Sequence, residues 1–107
     1  MERNVRTDFA GRVALLTGAG GGIGRSLLRR LAALGYSLAL VGRSEEKLRE
    51  AAADAGCADR ALLLSGDLTD PEFLQGIVGR VLDFYGRLDL LVNNAGICFV
   101  KPLEETS

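Results

Sequence analysis

The sequence predicts an α/β fold, because four short apolar runs alternate with three stretches of helical periodicity. That alternation is the pattern of parallel strands joined by crossover helices. The runs, residues 13–17, 37–41, 61–65 and 88–92, are nearly continuous in Val, Leu and Ala. Strands covered on both faces read this way, whereas a strand with one wet face alternates apolar with polar. A glycine-rich stretch, TGAGGGIG at 17–24, follows the first run directly and opens the first helical stretch. The expected order is β-α-β-α-β-α-β.

Each helix carries its own start or stop signal. The first opens near Gly22, sets Leu27, Leu28, Leu31 and Leu34 on one face, and closes at Gly35, where a left-handed cap suits glycine. Ser44 is a good N-cap for the second, and Glu45 and Glu46 stand at the positive end of its dipole. Leu48, Ala51, Ala52 and Ala55 mark its inner face. The third begins with Asp70 as N-cap and Pro71 at the first helical position, followed by Phe73, Ile77, Val81 and Phe84 at helical spacing. Gly76 and Gly79 inside that helix each cost about 1 kcal/mol relative to alanine, and close packing on a neighbour is the expected reason for them.

At 107 residues the chain falls near the usual size of one domain and has room for one modest core. Its 48% apolar and 25% charged content is that of an ordinary globular chain. A net charge of -1, with acids and bases interspersed, builds no basic stripe and argues against a nucleic-acid partner. The apolar runs are strand-sized and the opening MERNVRTDFAGR is too polar for a signal peptide or membrane span, so the expected location is the cytoplasm, away from membranes. Cys57 and Cys98 form no Cys-x-x-Cys pair, and the chain has no histidine with which they could share a metal. Both are expected to be inert thiols, with no metal site. The absence of histidine also removes Ser-His-Asp and Cys-His chemistry.

The glycine stretch meets neither G-x-G-x-x-G nor G-x-x-x-x-G-K-[ST], since Arg25 follows Gly24. It fits G-x-x-x-G-x-G through Gly18, Gly22 and Gly24. Positions without side chains let a pyrophosphate approach the backbone, and the helix that follows presents N–H groups and a positive dipole to it. The alternative is a tight turn with no ligand. At the end of the second strand, LVGRSEE places Arg43 where a dinucleotide site selects its ribose. A guanidinium there grips a 2′-phosphate, whereas a carboxylate would favour a free hydroxyl, so NADP is expected over NAD, the second candidate. The bland alternative pairs a solvated Arg43 with Glu46. Asp67 and Asn94 lie just past the third and fourth strands, at the edge where open α/β sheets bind ligands, although such residues also serve as simple turn formers.

Taken in order, TGAGGGIG, GDLTD and NNAG resemble the short-chain dehydrogenase/reductase family through nearly the whole chain. The resemblance implies a Rossmann-like, doubly wound parallel sheet with strand order 3-2-1-4. It implies that Gly18, Gly22, Ile23 and Gly24 cradle the pyrophosphate, that Asp67 and Leu68 meet the adenine, and that Arg43 marks NADP preference. Asn93, Asn94, Ala95 and Gly96 would line the cofactor beyond the fourth strand, with an asparagine there also tying the central strands together. The family moves hydride between a nicotinamide and a carbonyl or alcohol, using Ser with Tyr-x-x-x-Lys and a further Asn. Tyr36 and Tyr85 are followed four residues on by Leu40 and Asp89, so neither begins that motif and no catalytic residue is assigned.

KPLEETS, residues 101–107, resembles the family's approach to its next helix. Residues 1–107 are therefore read as the N-terminal half of a dinucleotide-binding domain, the cofactor half of a reductase, cut before its active site. A fourth strand lacking its family neighbour would leave an unpaired edge, and self-association through residues 88–92 is expected from it. Two other readings are a dinucleotide-binding or interaction module without catalysis, and half of a methyltransferase. Gly42-Arg43 counts against the latter, which would want an acid on the ribose hydroxyls.

Overall fold

A computed structural model describes residues 11–93 and 96–99. Strand β1 (Val13–Thr17) leads to helix α1 (Gly22–Ala33), strand β2 (Ser37–Gly42), helix α2 (Glu45–Asp54) and one 3-10 turn (Ala58–Arg60). Strand β3 (Ala61–Ser65), helix α3 (Pro71–Tyr85), strand β4 (Leu90–Asn93) and strand β5 (Gly96–Phe99) follow. The sheet order is β3-β2-β1-β4-β5, and the first four strands run parallel, in the doubly wound 3-2-1-4 order.

Alternating side chains feed two cores. Ala14, Leu16, Leu38, Leu40, Leu90 and Val92 meet Leu28 and Leu31 of α1 and Leu48, Ala51 and Ala52 of α2 on one face. Val13, Leu15, Ala39, Val41 and Leu64 meet Ile77 and Val81 of α3 on the other. Crossovers between parallel strands are right-handed, so when the chain reverses at β1, having stepped out to β3 and returned to β4, the covering helix must change face. The reversal puts the carboxyl ends of β1 and β4 side by side at the switch point.

The predicted caps form as read. The Ser44 hydroxyl accepts the Lys47 N–H at 3.2 Å, the Asp70 carboxylate accepts the Glu72 N–H at 3.1 Å, and Gly35 follows α1 with φ +100°. Four expectations need correction. The fourth strand starts at Leu90 rather than residue 88, because Asp89 is spent on β1: its N–H donates to the Val13 carbonyl at 2.9 Å and its carboxylate accepts the Val13 N–H at 2.8 Å. The fourth strand is not an open edge, since β5 pairs with it antiparallel, Leu90 opposite Phe99 and Asn93 opposite Gly96. The ladder expected to invite self-association through residues 88–92 is thus occupied. Phe84 points outward at 62% exposure, and Tyr85, on the i+4 stripe with Phe73, Ile77 and Val81, packs inward instead. Gly76 and Gly79 admit no close neighbour, for a Cβ at either would meet nothing within 4 Å.

Polar fasteners hold the amino-terminal edge of the sheet. The single O–H of Tyr85 lies 2.7 Å from the Arg60 carbonyl and 3.0 Å from that of Leu38, sharing its proton between them. Arg60 donates to the carbonyls of Ala32 at 2.8 Å and Tyr36 at 3.2 Å, adding a second donor to Ala32, which also accepts the Gly35 N–H. Arg87 grips Asp89 with a two-pronged guanidinium at 2.8 and 2.7 Å. Cys57 is buried, and burial pushes its thiol up, which makes it a poor nucleophile. No described helix is long and apolar enough to cross a membrane, and no cluster of ligating side chains suited to a metal occurs among the described residues.

Two predictions follow from this packing. Gly76→Ala and Gly79→Ala, entering open space on a helix, are each expected to stabilise the chain by about 0.5–1 kcal/mol in urea unfolding. Burial pushes the Asp89 carboxyl up, but the hydrogen bonds from Arg87 and the Val13 N–H outweigh it, and the group sits below its ordinary range. A depressed carboxylate stabilises the fold above its unfolded pKa of about 3.9 and loses that contribution as pH falls through the folded value. Asp89→Asn should therefore flatten the acid limb of the stability–pH curve measured by urea unfolding.

Candidate functional site

Parallel strands deliver all their carboxyl ends to one edge, and the loops leaving β1, β2 and β3 meet there. Two backbone bonds stitch them: the Gly18 N–H donates to the Val41 carbonyl at 3.0 Å, and the Gly66 N–H to the Gly42 carbonyl at 2.9 Å. Gly18 leaves β1 at φ +71°, a conformation that costs an L side chain energy and turns the loop back over the strand end. The Gly21 N–H then donates to the Gly18 carbonyl at 3.2 Å, and α1 begins.

The three motif glycines are demanded by different things. Gly18 is required by its backbone angle. Gly24 is buried against the loop, and a Cβ there would run into the Gly18 carbonyl oxygen. Gly22, the first residue of α1, is exposed, and a Cβ there would meet nothing within 4 Å. Nothing in the described chain uses the space in front of Gly22.

That space lies at the head of a helix without a side-chain cap. Gly21 offers the first turn of α1 no capping oxygen, and no acid stands in that turn, whereas α2 and α3 are capped by Ser44 and Asp70. The first N–H groups of a helix have no intrahelical acceptor, and their partial positive charge favours an anion. Ile23, beside them, is 77% exposed, an apolar side chain held in the open at the mouth of the cradle.

Arg43 follows β2 and Asp67 follows β3. The expected Glu46 partner is not the one observed: the Arg43 guanidinium reaches Asp67 Oδ1 at 3.4 Å. The same oxygen accepts the Thr69 N–H at 2.9 Å and its hydroxyl at 2.7 Å, and these two bonds, with Arg43 beyond them, hold the Asp67 carboxyl below its ordinary range. Sequence reading missed this pair because its members lie 24 residues apart on separate loops. Gly66 was also missed. A Cβ there would come within 2.5 Å of the Phe73 ring, so glycine leaves room for that ring against the β3 loop. Leu68 is half-buried against the α3-side core. Asn93 ends β4 and Gly96 opens β5, paired across the hairpin. Asn94 and Ala95 lie outside the described residues, as does KPLEETS.

Neither tyrosine is presented to this edge as an acid. Tyr36 is buried in the α1–α2 core, and Tyr85, its hydroxyl pushed up by burial, is committed to backbone carbonyls at the opposite edge. The glycine analysis makes a paired prediction. Gly24→Ala is expected to cost at least ~1–3 kcal/mol of stability through overpacking, and Gly22→Ala to stay within about 0.5 kcal/mol of the parent, both read from chemical unfolding.

Comparison with known proteins agrees with this geometry. The chain is 42% identical over 101 residues to an 11-beta-hydroxysteroid dehydrogenase A of Sesamum indicum, covering 92% of this chain and 29% of that protein. Its fold matches that of an NAD+-bound xylitol dehydrogenase with a TM-score of 0.72 and 37% identity, over 78% of this chain and 32% of the other. An actinorhodin polyketide ketoreductase variant crystallised with NADPH matches with a TM-score of 0.70 and 36% identity, over 78% and 32% of the two chains. The chain thus spans about a third of the length of the relatives it matches. The family model for short chain dehydrogenases matches residues 12–107. With β1 through β4, the glycine turn and the loops beyond β2 and β3 all inside that match, the chain belongs to the short-chain dehydrogenase/reductase family.

Proposed function

We propose that residues 1–107 are the cofactor-binding half of an NADP(H)-dependent reductase, and that the site described above receives the dinucleotide. The observation that carries this reading is the open cradle at Gly22, at the uncapped head of α1, on the same sheet edge as an exposed guanidinium. Gly18, Gly22 and Gly24 would let the diphosphate reach the α1 amides, and Ile23 would cover it. Asp67 and Leu68 would border the adenine, and Asn93, Asn94, Ala95 and Gly96 would border the cofactor beyond β4. Relatives in this fold have been crystallised with NAD+ and with NADPH, so the family does not choose between them. The choice of NADP rests on Arg43.

When bound, the nicotinamide would supply hydride to a carbonyl or accept it from an alcohol; this chain's part is to hold and orient the nucleotide. Substrate activation needs a tyrosine with a lysine four residues on, and neither Tyr36 nor Tyr85 has one. Reduction of a carbonyl, or oxidation of an alcohol, is therefore assigned to a protein that joins this half to residues bearing that motif. A hydrogen bond to a charged group contributes ~1.5–3 kcal/mol, so Arg43 should favour NADPH over NADH by roughly ten- to hundred-fold. Isothermal titration with both nucleotides tests this. Arg43→Glu is expected to abolish the preference while keeping NADH binding, and an unchanged ratio would remove Arg43 from the role.

A further inference from the structure

Lys47 stands where helix chemistry argues against it. It is the third residue of α2, three after the Ser44 cap, the position at which a capping box places Glu or Gln. A cation there opposes the positive end of the helix dipole. Its backbone N–H serves the cap, but its exposed side chain enters no ion pair among the described residues. Neighbouring cations behave otherwise: Arg49 holds Glu45 at 2.7 Å, Arg29 holds Asp54 at 2.8 Å, and Arg25 holds Glu50 at 3.5 Å.

The stem of Lys47 lies against the glycine loop. A Cβ on Gly20 would come within 3.3 Å of the Lys47 Cβ, tighter than ordinary contact, so the base of the Lys47 side chain stands close beside the glycine loop. Arg43 stands just ahead of the Ser44 cap, four residues before Lys47 in the chain. Its charge is already countered in part by Asp67 at 3.4 Å. A phosphate monoester carries a charge of about −1.5 to −2 at neutral pH, more than a guanidinium shared with a carboxylate can balance.

We infer that Lys47 is the second cation for the 2′-phosphate, a specificity-determining residue acting beside Arg43. The inference rests on the NADP reading above. Lys47 supplies the charge that Asp67 withdraws from Arg43, and the base of its side chain stands beside Gly20. Glu46, two residues C-terminal to the cap, is the nearby acid that this charge must outweigh, and Lys47 adds to the preference that Arg43 gives.

The test uses adenosine 2′,5′-bisphosphate and 5′-AMP, which differ only in the phosphate at issue, titrated calorimetrically against the natural full-length protein. Lys47→Met keeps the stem and removes the charge. It is expected to weaken the bisphosphate by about tenfold, the loss of one charge-assisted hydrogen bond, and to leave 5′-AMP within about twofold. Lys47→Arg should restore the difference, and thermal unfolding should show the Met variant no less stable than the parent. Bisphosphate affinity unchanged in Lys47→Met but lost in Arg43→Met would overturn the role of Lys47 and leave the NADP reading standing. Equal losses for both nucleotides would also overturn it, as the mark of a merely structural residue. A parent protein that fails to prefer the bisphosphate would bring down the NADP reading and this inference together.

Discussion

The structure depends on how closely α1 approaches the end of β1. The Gly18 carbonyl occupies the place that a side chain on residue 24 would take, and that contact holds the head of the helix directly over the strand. A helix set farther out would aim its amides into solvent, where water satisfies them and no concave surface forms. Brought in, the same amides lie beside the strand end, with Gly22 open in front of them. The left-handed turn at Gly18 and its bond to the Val41 carbonyl are the local means by which the loop clears the strand end.

Sheet polarity does the rest. Because β1 to β4 are parallel, loops that are far apart in sequence emerge side by side, and the reversal at β1 sets a switch point between β1 and β4. Arg43 and Asp67 meet because β2 and β3 are neighbours, and Lys47 meets Gly20 because α2 and the β1 loop share one face. Buried apolar contacts set these positions. The polar pairs at the carboxyl edge are exposed and add little to stability themselves, which leaves their charges available to a ligand.

Much of this was legible in the sequence, and the reasons are physical. Strands buried on both faces have to be continuously apolar, so β1, β2 and β3 are visible as runs of Val, Leu and Ala. Ser44, Asp70-Pro71 and Gly35 announce helix ends because the chemistry of a cap is local. What escaped notice depends on distant residues. The β5 segment, GICF, is four residues long and too short to show a period. Phe84 and Tyr85 lie next to each other near the end of α3, and the choice between them is made by carbonyls of residues 38 and 60. The partner of Arg43 and the Phe73 ring over Gly66 are likewise set by neighbours in space, and no spacing rule points to either.

The fasteners of Tyr85, Arg60 and Asp89 all gather at the amino-terminal margin of the sheet, the far side from the glycine cradle. The bonds that secure this margin use no residue of the glycine cradle. Changes at the open positions of the cradle, Gly22, Ile23 and Arg43, are therefore insulated from the endurance of the fold, whereas Gly18 and Gly24 are not, and the scaffold can be retuned for a different coenzyme at those open positions.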